Sequence, residues 1–415
     1  MQLKRVVVTG IGTINPIGNN VPAFFKSLDE GKSGASPITR FDCTLFKTQF
    51  ACQVPDFDMT AFGFTRKDAN KNDRYSQLAL VAAREAVQDS GMDLDKVCKD
   101  RVGVMVTSGV GGIETFSDEM MAYNPAEGPR FSPYLIPKLI TDIAAGHISV
   151  QYGFRGPNFG LTAACSSSTV SIAVAAQMIQ TGKADIMLCG GAEAAVLPVG
   201  IGGFNAMHAL STRNDDPQGA SRPFDKNRDG FVLGEGAGVL VLEDYSHAVE
   251  RGARIYAEVA GSGLSADAYH FTAPDPEGQG AAAAMRLALQ EAGISPAEVD
   301  YINTHGTSTH RGDIAEIKAI KEVFGRDAGV PSITSTKSMT GHLLGAAGAI
   351  EAIACIHSIR DGIIPPTINF SEEDPEIDYN LGFVFNKAAH RDVSVAVSNN
   401  FGFGGHNACL VFKKV

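Results

Sequence analysis

Continuous apolar runs mark the predicted strands of this chain. Most of these runs do not alternate between apolar and polar positions, which is typical of strands buried on both faces of a sheet. They are separated by helical stretches and by clusters of glycine, proline and hydroxyl residues that indicate loops. The predicted strands are Arg101–Thr107, Ala184–Ala192, Gly236–Glu243, Val299–Asn303, Val393–Ser398 and Ala408–Phe412.

Two predicted helices are apolar nearly all round, at Val170–Ile179 and Leu343–Ile356. A helix of this kind is buried, and its glycine and alanine content favours close contact with a partner helix. We expect the two to meet across a pseudo-twofold axis. Strands that alternate with buried helices in two similar halves predict a layered α/β fold. The charged helix at Tyr245–Gly252 is the expected join, which divides the chain into residues 1–251 and 252–415.

Composition narrows the function classes. The 415 residues, 44% hydrophobic, allow two or three domains or two halves that share one core. A net charge of −11 argues against general nucleic-acid binding, so an acidic partner must dock on a local basic patch. Seven cysteines without a C-x-x-C pair indicate a reducing, cytoplasmic location. Met1–Thr9 resembles a strand rather than a signal peptide, and no apolar run is long enough to span a membrane.

Two early segments carry weaker signals. Arg5–Gly12 is predicted to be a strand that runs into a glycine turn, but Asn15 stands where a dinucleotide-binding fingerprint needs its third glycine. A nucleotide site is therefore not expected. Four basic residues precede the predicted helix Gln77–Val87 and would by default be a solvated helix end. They are Arg66, Lys67, Lys71 and Arg74.

The segment Leu161–Ser168 holds the first candidate for chemistry, Cys165. Small residues lead to this cysteine and serines follow it, which predicts that Cys165 lies in the first turn of the buried helix. Unpaired N–H groups and the helix dipole at such a position favour the thiolate, the nucleophilic form of cysteine. A cysteine among small apolar residues is also commonly an inert core residue. The segment by itself leaves both readings open.

His305 and His342 are the second candidates, because glycines and hydroxyl residues surround each of them at a predicted turn. Site residues of α/β sheets gather at such element ends. A metal site is not expected, since no two histidines share helical spacing and no carboxylate flanks them suitably. The remaining histidines singled out are interpreted as satisfied core residues: His147, His247, His270, His357 and His390.

Taken together, the motifs resemble those of the elongating, type II β-ketoacyl-acyl-carrier-protein synthases of the thiolase-like superfamily. The resemblance covers essentially the whole chain and implies two similar αβαβα halves in a five-layered arrangement, assembled as a homodimer. It rests on Ala164-Cys165, Gly-Gly-Phe204, Ala-Leu-Ser-Thr-Arg213, Ser-Arg-Pro-Phe-Asp225, Asp-Gly-Phe-Val-Leu-Gly234, His-Gly-Thr-Ser-Thr309, Lys337-Ser-Met-Thr-Gly-His342, Gly-Ala-Ala-Gly-Ala349 and Phe-Gly-Phe-Gly-Gly405.

By this resemblance the reaction is the decarboxylative Claisen condensation of malonyl-acyl-carrier protein with an enzyme-bound acyl chain in fatty acid elongation. Cys165 would be the nucleophile, and His305 and His342 would stabilise the carbanion left by decarboxylation. Phe403 would complete a second oxyanion hole and gate the entrance. The supporting ion pair implied by the family is Lys337–Glu351.

The resemblance also implies the substrate contacts. No metal or cofactor is expected, because the substrates arrive on the phosphopantetheine arm of acyl carrier protein. Thr272, Thr307 and Thr309 match positions that hold this arm. Val110 and Phe204 match positions of the acyl pocket, although both would also suit an ordinary core, and Phe401 is placed with the substrate-binding residues. The basic patch expected to dock the carrier comprises Arg66, Lys67, Lys71 and Arg130.

Four departures from the family pattern bear on chain-length preference and carrier affinity. They are Ala163 before Ala-Cys, His310-Arg311 after His-Gly-Thr-Ser-Thr, His406 after Phe-Gly-Phe-Gly-Gly, and His208 on the carrier-docking face. Three alternatives remain. A thiolase would use Cys409 as its base, a chain-length-setting partner subunit would have lost the nucleophile that Cys165 supplies, and a polyketide or aryl-polyene ketosynthase would share the chemistry.

Overall fold

The first half of the chain folds into a sheet flanked by helices, in agreement with the predicted strands. The computed structural model describes residues 3–325 and 331–415, so Met1 and Gln2 of the predicted N-terminal strand lie outside it. The elements of this half are β1 Val6–Ile14, α1 Val21–Asp29, β2 Ser36–Pro37, β3 Phe50–Ala51, α2 Arg66–Lys71, α3 Arg74–Asp89, β4 Val102–Thr107, α4 Ile113–Ala122, α5 Leu135–Leu139, α6 Ile143–Tyr152, α7 Ser167–Gln180, β5 Ile186–Glu193, α8 Pro198–Ala206, β6 Gly236–Asp244 and α9 Tyr245–Glu250.

The second half repeats this style with a second set of long strands and two outer helices. No helix in residues 3–325 and 331–415 is long and apolar enough to cross a membrane. The elements of the second half are β7 Ala257–Ala266, α10 Gln279–Ala292, β8 Tyr301–Asn303, α11 His310–Phe324, β9 Ser332–Thr334, α12 Lys337–Thr340, α13 Ala347–Asp361, β10 Ile363–Ile364, β11 Gly382–Phe383, β12 Ala389–His390, β13 Val395–Gly402 and β14 His406–Lys413.

The main strands form one ten-stranded sheet, whose two parts, called here the first and the second sheet, join edge to edge. The order runs β4-β5-β6-β1 in the first half and continues as β7-β14-β13-β8-β9-β11 in the second. The junction is short, because β1 and β7 pair antiparallel only through Val7↔Glu258 and Val8↔Ala257. Both parts nevertheless contribute side chains to one apolar core, which includes Val8, Ile172, Tyr301 and Ile353.

Five layers follow from the packing of the helices, which confirms the expected architecture. Helices α3 and α6 cover the outer face of the first sheet, and α10 and α11 cover that of the second. Helices α7 and α13 lie between the sheets and contact each other. Their contact is close: a Cβ added to Gly348 would lie 1.9 Å from Oγ1 of Thr169. The small residues of both helices permit this approach, as the sequence predicted.

The prediction of a glycine turn after the first strand is wrong. Strand β1 continues through Gly10 and Gly12 to Ile14, and all nine of its residues are buried. A Cβ on Gly12 would lie 2.1 Å from the carbonyl oxygen of Ala82, and one on Gly10 would lie 2.4 Å from that of Ala86. These glycines let the backbone of α3 pack directly on the strand rather than turning the chain.

Strand β13 extends four residues beyond the end of the predicted strand Val393–Ser398, to Gly402. Strands β13 and β14 pair antiparallel up to Gly402↔His406, which leaves a three-residue turn at the hairpin tip. Gly404 and Gly405 have φ values of +88° and +72°, where a side chain would be strained. Phe403 is therefore carried on a tight turn at the end of two long, hydrogen-bonded strands.

Candidate active site

A cavity of about 570 Å³ brings the candidate residues of both halves together. Cys165 comes from the first half, whereas His305 and His342 come from the second, and all three line the cavity. Val110, Phe204, Thr272, Thr307, Thr309, Phe401 and Phe403 line it as well. The predicted catalytic and substrate residues thus share one site, except for Lys337 and Glu351, which lie behind it.

Cys165 was predicted to lie in the first turn of helix α7. It lies instead just before the helix begins. The helix begins at Ser167 with Ser166 as its N-cap residue. Ala164 has a φ of +48°, an uncommon conformation for a residue with a side chain. Hydroxyl groups hold this sharp bend, since Oγ of Ser167 accepts a hydrogen bond from the N–H of Ala163 and donates one to the carbonyl of Ala164. The bend turns Cys165 into the cavity.

Burial raises the pKa of the Cys165 thiol to about 12, so the resting sulfur is protonated. The positive charge of Lys337 and the backbone N–H groups of Phe403 and Cys165 favour the thiolate but are outweighed by burial. The expected contribution of N–H groups to the thiolate is therefore present, but it is smaller than the effect of burial. The same contacts place two N–H donors beside the sulfur.

His305 follows strand β8 and is fixed through its backbone. Its N–H and that of Gly306 each donate to a carboxylate oxygen of Glu316, at 2.8 and 2.7 Å. His342 is fixed by a parallel bridge to Leu233, in which its N–H donates to the carbonyl of Val232 at 2.7 Å. The position of each imidazole is thereby set through hydrogen bonds that the backbone N–H of its own residue donates.

The two imidazole rings lie edge to face, with centroids 5.3 Å apart and planes at 88°. Burial, followed by the positive charge of Lys337, lowers the pKa of His305 and of His342 well below its usual value. Both rings are therefore neutral at neutral pH, and each carries one N–H that can donate a hydrogen bond. Their Nδ1 atoms are buried and have no hydrogen-bond partner among the described residues.

Lys337 and Glu351 form a buried ion pair behind the cavity. The Nζ of Lys337 contacts Oε1 of Glu351, and both side chains are almost fully buried. The other carboxylate oxygen accepts a hydrogen bond from Nδ2 of Asn400 at 2.6 Å. Burial raises the pKa of Glu351 in spite of the adjacent ammonium group. This pair stabilises α12 against α13 and places one positive charge within electrostatic reach of Cys165 and both histidines.

Aromatic rings continue from the two histidines along the cavity wall. His342 packs edge-on against Phe231 at 5.4 Å, and Phe231 packs edge-on against Phe204 at 5.2 Å. On the other side His305 contacts Phe401 with ring centroids 5.7 Å apart. Val110 is 39% exposed, so it belongs to the cavity wall and not to an ordinary core. The wall suits an apolar chain.

Hydroxyl groups line another part of the cavity. Thr307 and Thr309 share a hydrogen bond of 3.0 Å between their side-chain oxygens. The hydroxyl of Thr272 contacts Nδ1 of His270 at 3.3 Å. These groups offer donors and acceptors to a polar, uncharged ligand.

The basic residues predicted to dock a carrier do not line the cavity. Arg66, Lys67 and Arg130 are exposed, and Lys71 is partly exposed. Arg74, interpreted as solvated, is instead held in a buried pair. Its guanidinium donates to both carboxylate oxygens of Glu235, at 2.9 and 2.6 Å.

The core interpretation of the other histidines holds only for His357. That ring is buried and stacks on Phe25, with Nε2 2.7 Å from a carboxylate oxygen of Asp29. His270 and His390 are exposed, so for them the prediction is wrong. His147 and His247 are partly exposed. A histidine between apolar residues of the sequence can still point outward, because neighbouring positions of a loop or helix face different sides.

Most of the residues that depart from the family pattern lie in or beside the cavity. His208, His310 and Arg311 line the cavity and are exposed. His406 is exposed, and its ring covers Gly404, where an added Cβ would meet Nε2 at 2.6 Å. Ala163 contributes its backbone to the bend before Cys165.

Three carboxylates or amides at the site were missed by sequence analysis. Glu193 and Glu316 are buried acceptors of backbone N–H groups, and Asn400 supports the ion pair. Glu193 alone had a local signal, as a charged residue at the end of the apolar run Ala184–Ala192. Glu316 lies in a segment rich in charged residues, and Asn400 follows the end of the predicted strand Val393–Ser398. Cys409, which a thiolase would need at the site, lies in the apolar core against α10 and is not among the cavity-lining residues.

Comparison with known proteins places this architecture in one class. The model of the β-ketoacyl synthase N-terminal domain matches residues 3–248, and that of the C-terminal domain matches residues 256–371. The chain is 48% identical to 3-oxoacyl-[acyl-carrier-protein] synthase 2 of Vibrio harveyi and to that of Coxiella burnetii, over the full length of each protein. A ketosynthase of a type II polyketide synthase, solved bound to the hexaketide in complex with its acyl-carrier protein, superposes with a TM-score of 0.91 at 34% identity, and both chains are fully covered.

The fold and site therefore define a carbon–carbon bond-forming acyltransferase of thiolase-like fold. The chain belongs to the β-ketoacyl synthase family.

Proposed function

We propose that the protein lengthens an acyl chain by two carbons, through decarboxylative condensation with malonyl-acyl-carrier protein in fatty acid elongation. The observation that carries this proposal is the shared cavity of Cys165, His305 and His342, in which both imidazoles are neutral. A nucleophile, a pair of neutral donors and an apolar wall are the parts that this chemistry requires.

In the first step the sulfur of Cys165 attacks the thioester of an acyl-carrier protein. The acyl group passes to Sγ, and the carrier thiol leaves with the proton that Cys165 loses, so this exchange is proton-neutral. Because the resting sulfur is a neutral thiol, no free energy is spent on burying a charge before the reaction. The N–H groups of Cys165 and Phe403 stabilise the oxyanion of the tetrahedral intermediate. One such donor is worth about 3–4 kcal/mol of barrier.

In the second step malonyl-acyl-carrier protein binds and loses carbon dioxide. The electron pair of the broken C–C bond spreads onto the thioester oxygen, which accepts hydrogen bonds from His305 and His342. Neutral rings suit this role, because an imidazolium would hold the malonyl carboxylate as an ion pair and stabilise the ground state.

In the third step the carbanion attacks the thioester on Cys165. A carbon–carbon bond forms, the carbon–sulfur bond breaks, and Cys165 leaves as a thiolate that takes up one proton. The β-ketoacyl product remains on the carrier. No metal or cofactor enters this sequence. The Lys337–Glu351 pair holds the region of His342 against α13 throughout.

We assign the remaining contacts by the same resemblance. Thr272, Thr307 and Thr309 hold the phosphopantetheine arm, Val110, Phe204 and Phe401 contact the chains, and Phe403 gates the entrance on its hairpin turn. Arg66, Lys67, Lys71 and Arg130 dock the acidic carrier through long-range attraction. The solved relative in complex with its own acyl-carrier protein supports this partner.

We also propose a homodimer whose subunits divide into halves at residues 1–251 and 252–415. An exposed apolar surface on and around α4 and α5 supports self-association. It comprises Phe116, Met120, Met121, Tyr123, Phe131, Tyr134, Ile136 and Ile140. Exposed apolar clusters of this kind mark contact surfaces.

The test is mass spectrometry of the protein after incubation with acyl-carrier proteins that bear chains of increasing length. We expect acylation at Cys165, none in Cys165→Ala, and continued carbon dioxide release from malonyl-acyl-carrier protein by that variant. His342→Ala should do the reverse, retaining acylation and losing decarboxylation. The absence of labelling at Cys165 by any chain would refute the proposal.

Polyketide synthesis is the second candidate, because the 34%-identical ketosynthase shares the fold over its full length. The 48% identity to two proteins named 3-oxoacyl-[acyl-carrier-protein] synthase 2 favours the first candidate. Products analysed after several rounds separate them: fatty acid elongation requires reduction of each β-keto group before the next round, whereas a polyketide ketosynthase extends unreduced chains.

A further inference from the structure

Glu193 is a buried carboxylate at the end of strand β5 that the proposed reaction does not use. Its side chain is fully buried, and it accepts four hydrogen bonds from two separate segments. Oε1 accepts from Oγ of Ser108 at 2.6 Å and from the N–H of Val110 at 3.3 Å. Oε2 accepts from the N–H groups of Gly109 at 2.9 Å and Gly345 at 3.0 Å.

These two segments form neighbouring walls of the cavity beside Cys165. Gly109 and Val110 follow strand β4, and Leu344 and Gly345 follow His342. Gly109, Val110 and Leu344 all line the cavity.

The walls are in backbone contact. A Cβ on Gly345 would lie 2.3 Å from the N–H nitrogen of Gly109 and 2.8 Å from Oε2 of Glu193. A Cβ on Gly109 would lie 2.7 Å from the same oxygen and 3.5 Å from the carbonyl oxygen of Ala164, the residue before Cys165. The carboxylate therefore lies between the two segments and contacts both of them.

We propose that Glu193 is a positioning residue that sets the distance between the Val110 wall and the Leu344 wall, and thereby the acyl chains that Cys165 accepts. It acts through backbone groups and touches no substrate. This inference rests on the proposed acylation of Cys165 and adds to it the element that defines the acyl channel.

Substitution of Glu193 by glutamine should affect the two walls of the cavity differently. In Glu193→Gln one oxygen becomes an NH₂ group, which cannot accept from an N–H. The amide can keep its oxygen toward Gly109 and Gly345 and turn its NH₂ toward Ser108, whose hydroxyl is able to accept. The bond to Val110 is then lost. The Val110 wall should loosen, while the segment after His342 remains in place.

Glu243→Gln provides the matched control. Glu243 is also fully buried, and it lies on strand β6, which pairs with β5. The two glutamates are at opposite ends of this pair: Glu193 is opposite Gly236, and Glu243 is opposite Ile186. Its carboxylate accepts from Arg251 and Thr9 and faces away from the cavity. In both variants a buried carboxyl group becomes an amide, so a general loss of rigidity would affect both. Glu243→Gln in addition weakens the ion pair with Arg251, which makes it the more demanding test of rigidity.

The experiment measures kcat/KM for acylation of Cys165 by acyl-carrier proteins with short, medium and long saturated chains, together with carbon dioxide release from malonyl-acyl-carrier protein. For Glu193→Gln we expect the ratio of long-chain to short-chain kcat/KM to change by about tenfold, the effect of about 1.4 kcal/mol. Carbon dioxide release should stay within about twofold, because His305 and His342 keep their contacts. Glu243→Gln should leave the chain-length ratio unchanged.

An unchanged ratio in Glu193→Gln would overturn the inference. So would an equal loss for all chains in parallel with carbon dioxide release, which is the result of a merely structural role. If Glu193→Gln does not fold, Ser108→Ala removes one of the four donors, and no change of ratio in that variant overturns the inference equally. A wild-type protein that is acylated by no chain would instead refute the proposed function itself.

Discussion

Replacement of Lys337 by methionine should destabilise the protein by an amount that depends on pH. Methionine keeps most of the volume of the lysine stem but leaves the buried carboxylate of Glu351 without its cation. Breaking a buried pair on one side costs about 3–5 kcal/mol. Glu351 can limit this cost by binding a proton. Protonating a carboxyl with the ordinary pKa of 4.5 costs about 3.4 kcal/mol at pH 7 and about 1.4 kcal/mol at pH 5.5.

The sign follows from proton binding in the two states. In the variant the folded protein holds a proton on Glu351 that the unfolded chain releases above pH 4.5, so the stability of the variant relative to wild type falls as pH rises. Urea denaturation of both proteins at pH 5.5 and pH 7 measures the difference. Lys318→Met, which removes a solvent-exposed pair with Glu277, should cost no more than about 1 kcal/mol at either pH. A Lys337→Met protein as stable as wild type, or a deficit that does not shrink at pH 5.5, would refute the reasoning.

Three further predictions concern the sulfur, the imidazoles and the central helices. The rate of Cys165 alkylation by iodoacetamide should rise about tenfold per pH unit from pH 7 to pH 10, because burial raises the pKa of the thiol to about 12; a plateau near pH 8 would show that Lys337 and the N–H groups outweigh burial. Carbon dioxide release by Cys165→Ala should stay level from pH 7.5 to pH 6, since the lowered pKa of each histidine leaves it already neutral there, and an inflection near pH 6.5 would contradict this. Gly348→Ala should lose at least about 1–3 kcal/mol in thermal or urea unfolding, because its methyl group would meet Thr169. Gly146→Ala in α6, where the nearest atom is 3.8 Å away, should by contrast be neutral or slightly stabilising.

The layers of the fold were predictable because they depend on local patterns. Continuous apolar runs identified the buried strands, and the two helices that are apolar all round identified the central layer. The strand β1 was misread at its glycines, since a glycine that permits close helix packing and one that turns the chain look the same in a sequence. The predicted strand Val393–Ser398 ends four residues too early for a similar reason, since the asparagine and glycine residues that follow it are typical of loops.

The site was predictable in its members but not in its electrostatics. Cys165, His305 and His342 are marked by their glycine and hydroxyl neighbours, and the cavity brings them together. The state of the sulfur depends on how completely the fold excludes water, which no local pattern records. Glu193 was missed because its hydrogen-bond donors are far away in the sequence. Ser108 is 85 residues from it, and Gly345 is 152 residues from it.

The central layer has a consequence for synthesis of the chain. Helix α7 ends at Gln180, yet the helix that covers its inner face, α13, ends only at Asp361. At a translation rate of about 5–20 residues per second, roughly 10–35 seconds pass between the emergence of the two. During that interval the first half presents an uncovered apolar surface in the nascent chain. The ribosome-bound intermediate is therefore the form of this protein most exposed to aggregation, and chaperone occupancy should be greatest between these two points.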